Sequence, residues 1–197
     1  TQAINSTNKL YTFGRNSVGQ LGDGSTIDRF NITPIGNSSW TVVGSGFDNS
    51  FAIRSDGGLF AWGNNTVSVL GDNTTINRSS PIQISSGTTW IKITTGGSST
   101  NTQYAAGIQS NNILYTWGYN GYGQLGTGDT TNRSTFTQIT SLGTTVTKIW
   151  NMGASYGCAF AQLANGSIYA CGYNGWIWKR NRYWGRRIIT GISISSP

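Results

Sequence analysis

One strand-and-loop unit recurs four times along this chain, and that recurrence limits the fold more than any other feature. The segments Leu10-Tyr11-Thr12-Phe13-Gly14, Leu59-Phe60-Ala61-Trp62-Gly63, Leu114-Tyr115-Thr116-Trp117-Gly118 and Ile168-Tyr169-Ala170-Cys171-Gly172 share one pattern. Their closing glycines lie 49, 55 and 54 residues apart. A fixed long period marks an architecture in which each unit buries its apolar face only against its neighbours. The loops repeat as closely as the strands. Gly14-Arg15-Asn16-Ser17-Val18-Gly19-Gln20-Leu21-Gly22-Asp23-Gly24 aligns without a gap on Gly118-Tyr119-Asn120-Gly121-Tyr122-Gly123-Gln124-Leu125-Gly126-Thr127-Gly128. The second copy keeps Asn65, Leu70 and Gly71 but has Ser68-Val69 in place of Gly-Gln. Asn73 stands where the other copies have Gly24 and Gly128. Asn tolerates a left-handed backbone best after Gly, so the exchange predicts φ > 0 at Asn73.

Each Gly-ending strand follows a hairpin. Ser50-Phe51-Ala52-Ile53 turns through Asp56-Gly57, Tyr104-Ala105-Ala106-Gly107-Ile108 through Asn111-Asn112, and Cys158-Ala159-Phe160-Ala161 through Asn165-Gly166. Such dipeptides suit two-residue turns, in which both positions take φ > 0. A further strand precedes each hairpin: Trp40-Thr41-Val42-Val43, Trp90-Ile91-Lys92-Ile93 and Val146-Thr147-Lys148-Ile149. Another follows each loop, at Ile82-Gln83-Ile84 and Phe136-Thr137-Gln138-Ile139. Four short antiparallel strands per unit describe propeller blades. The expected fold is all-β, a partial β-propeller of three to four four-stranded blades over residues 1–175, an incomplete ring.

Composition agrees. Glu is absent, only 10% of residues are charged, and 24 aromatics supply apolar area for a core. No apolar run approaches the roughly 18 residues of a membrane span, so no membrane partner is expected. Without His or Glu there is no Ser-His-Asp relay and no His metal site. The reading is therefore non-enzymatic, with no catalytic residue, cofactor or metal.

The Gly-x-Asn-x-x-Gly-Gln-Leu-Gly-x-Gly loop after an aromatic-Gly strand resembles the signature of the regulator-of-chromosome-condensation repeat. The likeness covers residues 10–175, about three and a half copies, and is best over Trp117 to Asp129. It implies seven blades closed into a ring, of which this chain has material for three to four. The family usually carries a His in the strand before the hairpin. Ser50, Tyr104 or Cys158 sits near that place, so a polar core contact is expected to be given up.

Several motifs admit two readings. Gly121-Tyr122-Gly123-Gln124-Leu125-Gly126 matches a dinucleotide fingerprint formally, but no helical period follows it, and a turn is the better reading. Arg29, Arg78 and Arg133 recur after the loop, either as an anion-binding ring or as partners of loop carbonyls or an Asp. Arg15, Asn64, Tyr119 and Tyr173 occupy one variable place beside an Asn held for turn chemistry, and they are the candidate recognition positions. Cys158 and Cys171 read as two core positions rather than a disulfide. A two-residue turn at Asn165-Gly166 would set Cys171 opposite Phe160.

The pattern stops at Gly175. Residues 176–197 form an aberrant basic tail carrying five of the 13 Lys and Arg and no acid. Shifted by one base, Trp176-Ile177-Trp178 and Arg182-Tyr183-Trp184-Gly185-Arg186 recover blade-loop glycines, so the tail reads as an out-of-frame blade loop. As a genuine arm it would be the only nucleic-acid-binding segment. Partners are otherwise expected to be proteins, or further copies joined through open sheet edges. Three functions fit: a binding or scaffolding module, a guanine-nucleotide exchange factor as the family's founding member implies, and a phage or virion accessory protein. An Asn/Ser/Thr-rich surface of low charge favours an extracellular or virion-surface setting.

Overall fold

The computed structural model describes residues 1–152, 157–172 and 189–192. The described strands form four antiparallel sheets in chain order. The first contains β1 (Gln2–Ile4), β2 (Leu10–Gly14) and β3 (Arg29–Pro34). The second contains β4 (Trp40–Ser45), β5 (Asn49–Arg54), β6 (Leu59–Gly63) and β7 (Arg78–Gln83). The third contains β8 (Trp90–Gly96), β9 (Tyr104–Gln109), β10 (Leu114–Gly118) and β11 (Arg133–Gln138). The fourth contains β12 (Val146–Met152), β13 (Cys158–Leu163), β14 (Ile168–Gly172) and β15 (Ile189–Ile192). Strand β8 packs on both β4 and β12, and the three form the inner edges of their blades. The first sheet has counterparts of β5, β6 and β7 only. Ile189–Ile192 pairs with β14 as the outer strand of the fourth blade. The rest of the segment 176–197 lies outside the described residues.

The strands after the loops begin earlier than Ile82 and Phe136, at Arg78 and Arg133. Pro81 is tolerated there because β7 is an outer strand.

The hairpin turns also differ from the two-residue form. Gly57, Asn112 and Gly166 donate their N–H to the carbonyls of Arg54, Gln109 and Leu163. Each turn is thus a three-residue loop in which the last residue is left-handed, with φ of 85°, 61° and 87°. Asn8 closes the β1–β2 hairpin in the same way, with φ 61°. The extra residue moves every cross-strand pair by one. Cys171 therefore faces Ala159 rather than Phe160, and Cys158 faces Gly172. Both cysteines are thiols.

The turn has a structural consequence beyond the hairpin. The carbonyls of Asn8, Gly57 and Asn112 accept the N–H of Trp40, Trp90 and Val146, the first residues of the next inner strands. Side chains complete the stitching. Trp62 and Trp117 donate their indole N–H to the carbonyls of Gln20 and Val69 in the preceding blade, at 3.0 and 2.7 Å. Cys171 offers its thiol to Gln124 O at 3.1 Å. In the second, third and fourth sheets the residue before the closing Gly thus ties its blade to the one before.

The polar contact expected to be missing is present in other hands. Register places Asn49, Tyr104 and Cys158 in one row, opposite Gly63, Gly118 and Gly172, and moves Ser50 to the row of Ala105 and Ala159. Asn49 bonds Gln103 of the next blade, and Tyr104 Oη donates to Cys158 O at 2.9 Å. Burial raises the Tyr104 phenol well above its ordinary pKa, which keeps the donor protonated.

Candidate recognition face

The described loops after Gly14, Gly63 and Gly118 are each wound around one buried side chain. Asn16, Asn65 and Asn120 are wholly inaccessible. In each, Oδ1 accepts the N–H of the loop leucine (Leu21, Leu70 or Leu125) at 2.9 Å. Nδ2 donates to two carbonyls further on: Ser25 and Ile27, Thr74 and Ile76, Asp129 and Thr131. The asparagine's own N–H is capped by the side chain of Asp28, Asn77 or Asn132. Only a carboxamide offers an acceptor and two donors on so short a stem, which is why these three positions are Asn. Asn73 is left-handed, φ 59°, in the place of Gly24 and Gly128.

The recurring arginines belong to this scaffold. Arg29 pairs with Asp23 at 2.5 Å, Arg78 with Asp72 at 2.8 Å, and Arg133 with Asp129 at 2.6 Å. The third acid comes from two positions later in the loop, because Thr127 occupies the place of Asp23 and Asp72. Burial alone would raise the Asp23 and Asp72 carboxyls. Hydrogen bonds from the neighbouring hydroxyl, Arg and Asn outweigh it and hold both below the ordinary range. The Thr131 N–H, followed by Arg133, lowers Asp129.

These loops share one end of the blades with the β4–β5 and β8–β9 connections, since Asn49 pairs with Gly63 and Tyr104 with Gly118. On this end the candidate positions part ways. Arg15 is open, its side chain 65% exposed, with Nε donating to Ser17 Oγ at 3.0 Å and a guanidinium nitrogen 4.0 Å from Asp48. Tyr119 is half-buried and meets Tyr122 edge to face at 5.9 Å. Asn64 is only 2% exposed, and its Oδ1 accepts from the backbone and hydroxyl of Thr66. Tyr173 lies outside the described residues.

Beneath Arg15 runs a polar network that the repeats do not reveal. Asp48 accepts from Gln20 Nε2 at 3.3 Å and Thr100 Oγ1 at 3.4 Å, and its N–H reaches Gln103 Oε1 at 3.3 Å. Gln103 Nε2 donates to Thr100 O at 3.2 Å. Three blades are joined here through side chains from connections of unequal length. Gln20, which recurs as Gln124, was the one signal in the sequence.

The Gly121–Gly126 stretch is a pair of consecutive turns, closed by Gly123 N–H to Asn120 O and Gly126 N–H to Gly123 O. The stretch runs on through bends into β11 rather than into a helix, so the amide cradle of a dinucleotide site is not formed there. Among the described residues no helix is long and apolar enough to cross a membrane.

Radially stacked antiparallel sheets stitched loop to strand define a β-propeller module. The model of the Regulator of chromosome condensation (RCC1) repeat matches residues 8–53, 56–101 and 111–160, and a second model of that repeat matches 40–68. The chain belongs to the RCC1 repeat family. Among solved structures, human WBSCR16 superposes with a TM-score of 0.72 at 20% identity, over 87% of this chain and 44% of that one. Yeast RCC1 (Prp20) bound to Kap60 gives 0.70 at 16% identity, over 87% and 41%. Prp20p from Saccharomyces cerevisiae, described with its binding to Gsp1p and histones, gives 0.67 at 19%, over 87% and 41%. The chain therefore spans less than half the length of these structures, and the likeness is one of fold.

Proposed function

We propose that this chain is a non-enzymatic protein-binding scaffold, working within a longer propeller and recognising its partner through the loop end around Arg15 and Tyr119. One observation carries this reading. Each of the three described loops combines an inaccessible, unchanging Asn hub with an adjacent position free to vary, and in the first and third that position reaches the surface. A surface of that design can change its chemistry without disturbing the blade. The test compares the chain with an Arg15→Ala/Tyr119→Ala variant in affinity capture from lysate, after matching their melting temperatures. A partner held by the parent and released by the variant supports the reading; equal capture overturns it. Acceleration of nucleotide release across a panel of small GTPases would instead favour exchange activity.

Assembly with a further blade is favoured by the first sheet. Phe13 stands in the place of the fully buried Trp62 and Trp117, yet it is 36% exposed. Phe30 and Ile32 on β3 are 93% and 68% exposed. The partner that fits this face is another blade of the same kind, from the same protein or a second copy. Sedimentation of the parent against a Phe30→Lys/Ile32→Lys variant separates a self-associating chain from one that needs a different partner.

A further inference from the structure

The blade interfaces have the same backbone plan and different fillings. Between the second and third sheets, Phe51 meets Trp117 at 6.0 Å, Trp90 meets Trp117 at 5.9 Å, and Phe136 lies 4.8 Å from Trp117. Register carries these positions to the next interface without ambiguity. Ala106 replaces Phe51, since each sits one residue after the partner of the tryptophan row or its equivalent. Val146 replaces Trp90, each being the first residue of an inner strand opposite the hairpin end. Cys171 replaces Trp117, each directly before its closing Gly.

Ala106 and Cys171, in the places of Phe51 and Trp117, both border open space between the third and fourth sheets, whereas Val146 is packed in the core with Ala106, Leu114 and Ile139. A half-open pocket of about 260 Å³ lies there, lined by Ala106, Leu125, Ala159, Cys171, Phe160 and Tyr169 among others. Two of its polar groups are already engaged: Thr116 Oγ1 donates to Leu125 O at 2.8 Å, and Cys171 Sγ to Gln124 O at 3.1 Å. Burial pushes the Cys171 thiol up to about 12, so it brings no charge to the cavity. Aliphatic cavities of about 150 Å³ stay dry and accept benzene, because water finds no partners in them.

We propose that the gap between the third and fourth blades is a binding site for a compact, uncharged aromatic molecule of about the size of indole. One blade earlier the Phe51 ring and the Trp117 indole fill the corresponding space. The site faces the blade interface rather than the loop end, so it stands or falls independently of the protein-recognition reading.

Indole itself is the probe, titrated into the full chain and followed by thermal melting and by saturation-transfer NMR of the indole protons. A saturable rise in Tm of about 5–10 °C at a hundredfold excess over Kd is expected. Cys171→Trp should melt higher without ligand and lose both the shift and the transfer signal, since its side chain fills the cavity. Ala106→Phe closes the same space from the third sheet and carries the test should Cys171→Trp fail to fold. Absence of saturable binding to the parent chain overturns the proposal, as does an undiminished response in a folded cavity-filled variant.

Discussion

The second-to-third and third-to-fourth interfaces are built on one set of main-chain bonds, and only the first is filled with aromatic rings. Trp90 N–H reaches Gly57 O at 2.9 Å, and Val146 N–H reaches Asn112 O at 3.3 Å. The strand–loop tie survives the exchange of an indole for a thiol, with 2.7 Å at Trp117 and 3.1 Å at Cys171. Blade spacing is therefore set by turn geometry and carbonyl placement. Aromatic filling adds stability on top of that frame and can be withdrawn locally. Truncating the two equivalent residues, Trp117 and Cys171, tests that division of roles. Trp117→Ala is expected to cost about 3–5 kcal/mol, as for other fully buried tryptophans. Cys171→Ala, which removes one sulfur beside an existing cavity, should cost about 1 kcal/mol or less. Urea midpoints measure both, and equal losses would mean that the fourth blade depends on its contact as the third does.

The loop hubs make the opposite case, since they are alike in every copy described. Asn120→Ala strands the Leu125 N–H and the carbonyls of Asp129 and Thr131 in a site closed to water. Buried groups left without partners cost about 1–3 kcal/mol, so a loss of about 2–3 kcal/mol is expected, and a similar one for Asn65→Ala. A much smaller loss in one copy would show that its loop is held from elsewhere.

Acid should distinguish the loops through their carboxylates. Asp23 and Asp72 have folded pKa values below the ordinary 3.8. Below that value the unfolded chain takes up protons that the folded chain still refuses, so stability is present above 3.8 and is lost as pH falls through the lowered values. Exposed Asp56 moves the same way, to about 2, through Arg54 and then the Gly58 N–H. The fall in Tm between about pH 4 and 2 should be shallower in Asp23→Asn/Asp72→Asn than in the parent. An unchanged slope would remove these pairs from the account of acid unfolding.

What could be read from the sequence was what repeats. The sheets, the Gly-ending strands and the left-handed Asn73 each stood in two to four aligned copies, so one copy interpreted another. The hairpin length was not legible. Asp56-Gly57 and Asn165-Gly166 suit both two- and three-residue loops, and both take the three-residue form, although of the two only the Gly57 carbonyl accepts from a following inner strand among the described residues. The same error of one residue misplaced Cys171. Asn64 looked like a surface position because its equivalents are Arg15 and Tyr119, but the longer β8–β9 connection brings Thr100 and Gln103 over it. The Asp48 network was hidden for a related reason: it joins connections that have no common length, so no alignment of copies displays it.

The smallest expected effect concerns the one loop that departs from the shared backbone chemistry. Ser68 is left-handed, φ 58°, where Gly19 and Gly123 have φ 81° and 74°. A side chain in that region costs about 1–2 kcal/mol, and Gly recovers it at an entropic cost of about 0.5–1 kcal/mol in the unfolded chain. Ser68→Gly should therefore stabilise the second loop by about 0.5 kcal/mol. Gly123→Ser is the reverse exchange. A Cβ there meets only Asp129 O at 3.8 Å, so the cost is conformational and should match the gain in size and oppose it in sign. Gly19 is the contrasting case, because its Cβ would lie 2.5 Å from Ser79 Cα, and Gly19→Ser should lose clearly more than Gly123→Ser. Urea midpoints for the three variants order them on one scale. If Gly19→Ser and Gly123→Ser fall together, the first loop yields as easily as the third, and close packing of loop on blade is not what keeps glycine at that place.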